Sequence, residues 1–287
     1  MSAARGRVAP AGSPSPPRQP GRRGAPDGKE SSVVSLKRGL DILRAFHATD
    51  APLGNTEIAE RAALPKSTVA RLTYTLGRLG YLRQAGPLGQ YHLDDKVMLL
   101  GKALLRSLPI RQAAHPLMQE FADQHEISVA LGAAAGTSMV YIEYCRGPET
   151  VTMSLRVGSL LPMGITAIGR AYLWGLAPEQ REEQLRLIEA EAGGDGPAEV
   201  HRIVDSFAQI ERDGFALSLG DWRREIYAVA APLWVDRGQT VLALNCAARR
   251  QGLSENLFRG TLGPALVATA TEITNALDRL GMTFWGE

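Results

Sequence analysis

Two short helical patterns separated by one proline run from Asn55 to Gly80, and they constrain the fold of this 287-residue chain more than any other feature. Asn55 and Thr56 can cap the first helix, while Pro65 ends its pattern and suits the opening turn of the second. Both patterns carry an apolar stripe, formed by Ile58, Ala59 and Ala62 and then by Val69, Leu72, Leu76 and Leu79. The stretch therefore predicts two helices that pack on one core through a tight turn.

The polar face of the second helix carries side chains suited to the major groove of DNA. At about 100° per residue this face holds small hydroxyls and long cations, namely Lys66, Ser67, Thr68, Arg71, Tyr74 and Arg78. Short side chains let the backbone approach base edges, and Lys or Arg reaches phosphates or guanine. We predict that these six residues bind DNA. The alternative is an ordinary helical hairpin with a solvated charged face.

Positive charge is concentrated near the N-terminus, although the formal net charge is only +2. Residues 1–94 hold 14 Lys and Arg against 7 Asp and Glu, whereas residues 95–287 hold 18 against 23. Residues 1–32 are rich in Pro, Gly, Ser and Arg, so we expect a disordered basic tail there. Without the tail, residues 33–94 still carry a net charge of +3, which favours contact with double-stranded DNA.

A support helix and a hairpin flank the two central helices. Residues 34–48 form a helical pattern in which Ser35 is available as a cap. Its apolar face consists of Leu36, Leu40, Leu43 and Phe46. The runs YLRQ and QYHL then surround a loop of hairpin length, and Arg83 and Gln84 either contact DNA or are solvated. Three helices followed by a hairpin predict a winged helix-turn-helix at residues 33–94.

A linker helix is predicted at residues 95–110, capped by Asp94 or Asp95 and ended by Pro109. Its apolar stripe consists of Val97, Leu100, Leu104 and Leu108. Because the preceding domain has already buried its own core, this stripe needs a partner. We predict that it pairs two chains, since a dimeric reader presents two recognition helices to successive half-sites.

Strand and helix patterns alternate beyond the linker. Strands are predicted at residues 128–135, 139–146, 151–158, 215–220, 226–235 and 240–248. Helices are predicted at residues 110–125, 167–176, 178–192, 198–214 and 254–280. A tight turn at Asp236 to Gln239 makes the last two strands antiparallel neighbours. The expected fold class is α+β, with an α/β domain at residues 111–282 whose mixed sheet is largely antiparallel.

The cysteine and hydropathy patterns indicate a reducing, aqueous compartment. Cys145 and Cys246 lie in apolar runs without a His or Cys at metal-ligand spacing, so we expect two buried free thiols and no metal site. No apolar run approaches the roughly 18 residues of a transmembrane helix. The N-terminus lacks the apolar segment of a signal peptide. We therefore expect a cytoplasmic protein without membrane contact.

Several segments resemble, in order, those of the IclR-type family of bacterial transcriptional regulators. They are SLKRGLDILRAF, NTEIAERAALPKSTVARLTYTLGRLGYL, YHL, RVGSLLPMGITAIGRAYL and ERDGFALSLGDWRREIYAVAAPL. The resemblance extends from about Val34 to Leu280. It implies a winged helix-turn-helix, a linker helix and an effector-binding domain, assembled as a homodimer or homotetramer that represses or activates transcription.

A carboxylate-binding site is predicted where the segment PMGITAIGRA begins a helix. Free backbone N–H groups from Ile165 to Ile168 and the positive end of the helix dipole can hold a carboxylate. Resemblance to the family places the effector pocket at Met153, Gly164, Ile165, Thr166, Ala167, Ile168, Asp221, Ala228, Asn245 and Ala247. We expect Asp221 to lie on a mobile loop that closes over the ligand.

Three pocket positions depart from family members that bind two- or three-carbon acids. The resemblance implies Cys where this chain has Ala228, and Ser where it has Asn245 and Ala247. These changes favour a roomier, more apolar pocket for an aromatic or other larger carboxylate. The alternative for Asn245 is an amide at the end of a strand that backbone groups satisfy. Arg156 and Arg170 are candidate counter-ions, but a Gly-Arg-Ala helix start more often places its Arg in a structural ion pair.

Catalytic motifs are missing from the sequence. There is no G-x-S-x-G elbow, no H-E-x-x-H and no G-x-G-x-x-G, and the glycine spacing from Gly164 lacks the Lys of a phosphate-binding loop. We therefore expect a ligand-responsive transcriptional regulator that is not an enzyme, needs no cofactor and senses a small organic acid. The alternative is a DNA-binding oligomer without a small-molecule effector.

Overall fold

A computed structural model describes residues 33–47, 51–86, 89–148, 155–250 and 253–284. They belong to two compact units, one ending at Asp95 and the other beginning at Lys96. The predicted tail, residues 1–32, lies outside the described residues. None of the described helices combines the length and the apolarity needed to cross a membrane.

The N-terminal unit consists of helices and a small antiparallel sheet, in the order predicted for a winged helix-turn-helix. Its helices are α1 (Val34–Arg44), α2 (Asn55–Arg61) and α3 (Lys66–Leu79). Its strands are β1 (Leu53–Gly54), β2 (Leu82–Ala85) and β3 (Gln90–Leu93), and β3 lies between the other two. The hairpin of β2 and β3, called the wing below, follows the predicted segments, whereas β1 was not predicted.

Local interactions fix the ends of α2 and α3. Gly54, not Asn55 or Thr56, is the N-cap of α2, and its N–H donates to Glu57 Oε2 at 2.8 Å. Asn55 instead contributes its Oδ1 as acceptor for Thr73 Oγ1 of α3 at 3.1 Å, which joins the two helices. After α3 the chain turns at Gly80, whose φ of 77° is the left-handed conformation that glycine adopts without strain.

The core of this unit differs from the predicted stripes at two places. It consists of Ile42, Ala45, Leu53, Ile58, Ala59, Val69 and Leu82. The prediction for Leu79 was wrong, because at 100° per residue this side chain lies about 80° around the helix from Val69 and is exposed. In α1 only the C-terminal end reaches the core, so Leu36 and Leu40 are exposed as well. The predicted Ser35 cap was also wrong, since Val33 is the N-cap of α1.

The C-terminal unit has a six-stranded antiparallel sheet, with the strands in the order β6-β5-β4-β9-β8-β7. Its strands are β4 (Ser128–Ala135), β5 (Ser138–Arg146), β6 (Leu160–Pro162), β7 (Ala216–Leu219), β8 (Ile226–Val235) and β9 (Thr240–Arg249). The helices are α4 (Asp95–Arg106), α5 (Pro109–His125), α6 (Ala167–Gly175), α7 (Pro178–Ala192), α8 (Gly196–Asp213), α9 (Glu255–Leu257) and α10 (Gly263–Leu280). The fold class is α+β, as predicted.

Helices cover both faces of this sheet. On one face α5 and α10 bury a core that includes Met118, Phe121, Leu244 and Leu266. On the other face α6, α7 and α8 bury a second core, which includes Met139, Ile168, Leu173 and Ile203. Because alternate residues of a strand point to opposite faces, each strand contributes to both cores. The predicted burial of the two free thiols is confirmed, since Cys145 and Cys246 lie within the first core.

Two predicted elements of this unit differ from the structure. In the strand predicted at residues 151–158, residues 155–158 form no strand, and residues 151–154 lie outside the described residues. The nearby strand is β6, which begins only at Leu160. The closing helix predicted at residues 254–280 is interrupted by a π-helical segment, Phe258–Leu262. Here Gly263 packs against the Phe215 ring so closely that a Cβ would lie 2.4 Å from it.

Candidate functional sites

The polar face of α3 presents most of its predicted DNA-contacting side chains to solvent. Thr68 is half-buried, and the exposed residues are Lys66, Ser67, Arg71, Tyr74 and Arg78. Within the described residues, no carboxylate forms an ion pair with the three cations of this face. The cations are therefore free to meet phosphates or base edges.

The wing extends this surface. Tyr74 and Arg78 of α3 border a shallow depression together with Arg83 and Gln84 of β2. Both β2 side chains are exposed, and β2 is held in register by its antiparallel pairing with β3. The depression therefore combines a helix suited to the major groove with cations that can reach the adjacent backbone.

A narrow cleft of about 20 Å³ lies between α6 and the sheet of the C-terminal unit. Its lining is mostly apolar and consists of Tyr141, Leu155, Leu161, Thr166, Ala167, Ile168, Ser218, Trp222, Ile226, Ala228, Asn245 and Ala247. This composition, with a few polar groups among apolar walls, is typical of small-molecule sites.

The start of α6 forms one wall of the cleft. Thr166 is its N-cap and accepts a hydrogen bond from the Gly169 N–H at 3.3 Å, while its own hydroxyl donates to the Pro162 carbonyl at 2.7 Å. Among the described residues, the N–H groups of Ala167 and Ile168 have no acceptor. Two donors at the positive end of the helix therefore remain available on this wall.

A glycine permits this tight helix start. A Cβ at Gly169 would lie 1.9 Å from the Met163 carbonyl oxygen, so any larger residue would displace the loop that precedes α6. The segment PMGITAIGRA thus has two structural roles. Thr166 caps the helix, and Gly169 lets the preceding loop pack directly against it.

A buried amide and phenol form the polar part of the sheet wall. Asn245 of β9 is 4% exposed, and its Nδ2 donates to Tyr141 Oη of β5 at 3.3 Å. Asn245 Oδ1 is buried and has no hydrogen-bond partner among the residues that the structure describes. Burial raises the pKa of Tyr141, so its hydroxyl stays protonated at physiological pH. A buried polar atom without a partner is costly, and a ligand group can remove that cost.

The cleft contains six of the residues named from the sequence: Thr166, Ala167, Ile168, Ala228, Asn245 and Ala247. Gly164 and Ile165 border a different cavity, on the α7 and α8 side, and Met153 lies outside the described residues. Asp221 does not line the cleft. Its Oδ2 accepts a hydrogen bond from Arg170 Nη1 at 2.7 Å, and Arg170 Nε donates to the Gly164 carbonyl.

Arg170 therefore forms a structural ion pair with Asp221, the more common role of an arginine at such a helix start. Its guanidinium joins the loop before α6 to the loop that holds Asp221. Arg156 is exposed and does not line the cleft.

Sequence reasoning missed the other six lining residues. Trp222 is next to Asp221, and its large apolar side chain in the polar loop GDWRRE was a usable signal. The sequence pattern places Tyr141 on the same side of β5 as Met139. Its contact with Asn245 of β9, however, depends on the order of the strands in the folded sheet.

Several apolar side chains of α4 are exposed to solvent when one chain is considered without a partner. No residue of α4 is buried, and Met98, Leu99, Leu100 and Leu104 are between 49% and 65% exposed. Of the predicted stripe, Val97 is half-buried and only Leu108, beyond the end of the helix, is buried.

Comparison with known proteins covers both units. Residues 35–86 match the model of the IclR helix-turn-helix domain, and residues 102–275 match the model of the bacterial transcriptional regulator IclR C-terminal domain. The chain is 29% identical to the HTH-type transcriptional regulator TsaQ1/TsaQ2 of Comamonas testosteroni, across 84% of this chain and 87% of the relative.

Solved structures agree with these matches. An IclR family transcriptional regulator from Brucella abortus is similar with a TM-score of 0.81 and 37% identity, over 89% of this chain and 97% of that chain. An IclR homologue from Microbacterium hydrocarbonoxydans, complexed with 4-hydroxybenzoate, has a TM-score of 0.66 and 24% identity, over 85% and 99% of the two chains. The second similarity shows a common fold.

Proposed function

The chain belongs to the IclR family of bacterial DNA-binding transcriptional regulators, and we propose that it acts without catalysis, by coupling operator binding to an aromatic carboxylate held under α6. The observation that carries the proposal is the cleft itself, where N–H groups of the helix wall and the Asn245 amide oxygen of the sheet wall have no partner in the described part of the chain.

The DNA-binding half of the proposal rests on α3 and the wing. The α3 residues Lys66, Ser67, Thr68, Arg71, Tyr74 and Arg78 would enter the major groove, while Arg83 would contact the adjacent backbone. Each chain offers one recognition helix, α3, so a palindromic operator requires two chains. The exposed Leu100 and Leu104 support α4 as the pairing surface.

A carboxylate is the ligand group that suits the helix wall. The N–H groups of Ala167 and Ile168 can donate to one carboxylate, which also interacts favourably with the helix dipole. The sequence predicted donors from Ile165 to Ile168. Because Gly164 and Ile165 border another cavity, we expect only the later N–H groups of this segment, those of Ala167 and Ile168, to bind the ligand.

An aromatic ring is the ligand body that suits the remaining lining. Leu155, Leu161, Trp222 and Ile226 provide apolar and aromatic surface. Ala228 and Ala247 have short side chains and therefore add little bulk to the sheet wall. The cleft of about 20 Å³ must widen to admit a benzoate-sized acid, which would then contact these apolar side chains, whereas a two-carbon acid would reach few of them.

A hydroxyl group on that ring would complete the site. Asn245 has one unused hydrogen-bonding atom beside the Tyr141 hydroxyl. Because a hydroxyl both donates and accepts, it satisfies this pair whichever way the amide is turned. The ligand class is therefore a hydroxylated aromatic carboxylate, the class to which the 4-hydroxybenzoate of the structural neighbour also belongs.

Calorimetry on the full chain tests the proposal. Benzoate and 4-hydroxybenzoate should bind, and acetate should bind more weakly. Ala228→Phe should weaken the aromatic acids by roughly 5- to 150-fold, from the 1–3 kcal/mol that overfilling a packed site costs. Operator affinity without ligand should stay unchanged, because Ala228 lies in the other unit from α3.

Leu187→Phe provides the matched control, since Leu187 is exposed on α7 and does not line the cleft. Operator and ligand should also change each other's affinity by the same factor, typically 5- to 150-fold. If no carboxylate binds while operator binding is intact, the protein is a DNA-binding oligomer without a small-molecule effector.

A further inference from the structure

Three side chains with metal-ligand atoms converge between α5 and β5, in the core on the opposite face of the sheet from the cleft. His115 Nδ1 lies 3.6 Å from Cys145 Sγ and 3.5 Å from Glu143 Oε1, and all three ligand atoms are within 4.8 Å of one another. The sequence concealed this group, because about 30 residues separate His115 from the other two.

The two distances from His115 Nδ1 are close to those between ligands of one tetrahedral ion. With the usual Zn–N, Zn–S and Zn–O bond lengths, tetrahedral angles separate N from S by about 3.5 Å and N from O by about 3.4 Å. His115 Nδ1 thus already lies at the ligand-to-ligand separation of a zinc site from both partners, and the distance from Cys145 Sγ to Glu143 Oε1, within 4.8 Å, would become about 3.6 Å around a bound ion.

Surrounding groups hold the carboxylate in place for such an ion. Glu143 Oε2 accepts from Arg111 Nε and interacts with Arg111 Nη2, both at 2.9 Å, which leaves Oε1 facing His115. The Tyr144 N–H also donates to Oε1, at 3.1 Å. Carboxylate ligands are commonly oriented by such outer partners.

Solvent can reach one side of the group. The Glu143 side chain is 8% exposed and Cys145 is buried, but the His115 side chain is 56% exposed. An ion bound here would therefore have three protein ligands and a water in its fourth position, the arrangement of an open zinc site.

We propose that His115, Glu143 and Cys145 bind one thiophilic divalent ion of the zinc class, which links α5 to β5. A donor set of thiolate, imidazole and carboxylate selects Zn²⁺ or Co²⁺ over Mg²⁺ or Ca²⁺. The thiol releases its proton to solvent on coordination, so the thiolate and Glu143 both place negative charge beside the ion, while Arg111 stays paired with Glu143 Oε2.

Titration of the full chain with Co²⁺ tests the site, because a cobalt–thiolate bond has a charge-transfer absorption band. The wild type should show this band at one equivalent, and so should Cys246→Ser, which retains Cys145. Cys145→Ser should abolish it. His115→Ala should weaken binding by at least about 10-fold, and this exposed position tolerates the change without loss of the core.

Thermal unfolding with Zn²⁺ gives a second measurement. The ion should raise Tm in the wild type and in Cys246→Ser but not in Cys145→Ser, since a ligand that binds only the folded state stabilises it. The proposal is overturned if Co²⁺ gives no charge-transfer band, if the band survives Cys145→Ser, or if His115→Ala binds the ion as tightly as the wild type. Failure here would leave the aromatic carboxylate site unaffected, because the two sites share no residue.

Discussion

The α3 surface and the cleft under α6 are both functional surfaces, yet they are built differently. The six predicted α3 residues come from one stretch of 13 positions, and five of them are exposed. The cleft draws its lining from residues between Tyr141 and Ala247, most of them buried or half-buried. One surface follows from helical periodicity, whereas the other depends on strand order.

Their arginines illustrate the difference. Arg71 on α3 is exposed and forms no ion pair with any described residue. Arg170 on α6 is 9% exposed, and its guanidinium donates through Nε to the Gly164 carbonyl and through Nη1 to Asp221. A surface that meets a polyanion keeps its cations free, whereas a buried cation must be paired within the protein. Charge type alone thus says little about role until burial is known.

The largest expected effect concerns pairing through α4. Replacing Leu100 and Leu104 together by Asp should produce monomers in sedimentation, because charges would lie in the proposed apolar interface. Operator affinity should fall by roughly 10²- to 10⁴-fold, since the two recognition helices would then bind separately. Leu187→Asp on α7 is the control. A dimer that persists in the double variant would move the interface to another surface.

A smaller effect separates base reading from phosphate contact on α3. Arg71→Ala should cost about 1–3 kcal/mol in operator binding and relax sequence preference. Lys66→Ala should lower affinity for all sequences alike and reduce the salt slope by about one. Fluorescence anisotropy with operator and random duplexes at several salt concentrations measures both. If Arg71→Ala binds each duplex as the wild type does, the reading face is assigned incorrectly.

The smallest effect tests the polar pair of the cleft. The wild type should prefer 4-hydroxybenzoate over benzoate by roughly 2- to 13-fold, from the 0.5–1.5 kcal/mol of one net hydrogen bond. Asn245→Leu should bring this ratio close to one, because it removes the unsatisfied amide while keeping a similar volume. Tyr141→Phe should reduce the ratio less. An unchanged ratio in Asn245→Leu would show that the hydroxyl binds elsewhere.

The sequence by itself determined the elements whose signals are local. Pro65 and Gly80 bound α3, the α7 prediction of residues 178–192 matches the helix, and the turn at Asp236 correctly pairs β8 with β9. The order of these elements, and segments shared with a known family, were enough to assign the fold class and the regulator class.

Tertiary structure decided which side chains meet. Leu79 and Leu36 continue apolar patterns but lie where no partner covers them, so periodicity alone misplaced both. Tyr141 meets Asn245 across 104 positions, and His115 meets Cys145 across 30, because separate strands and helices bring them together. Helical and strand periodicity arises from backbone geometry a few residues long, whereas such contacts depend on how whole elements pack.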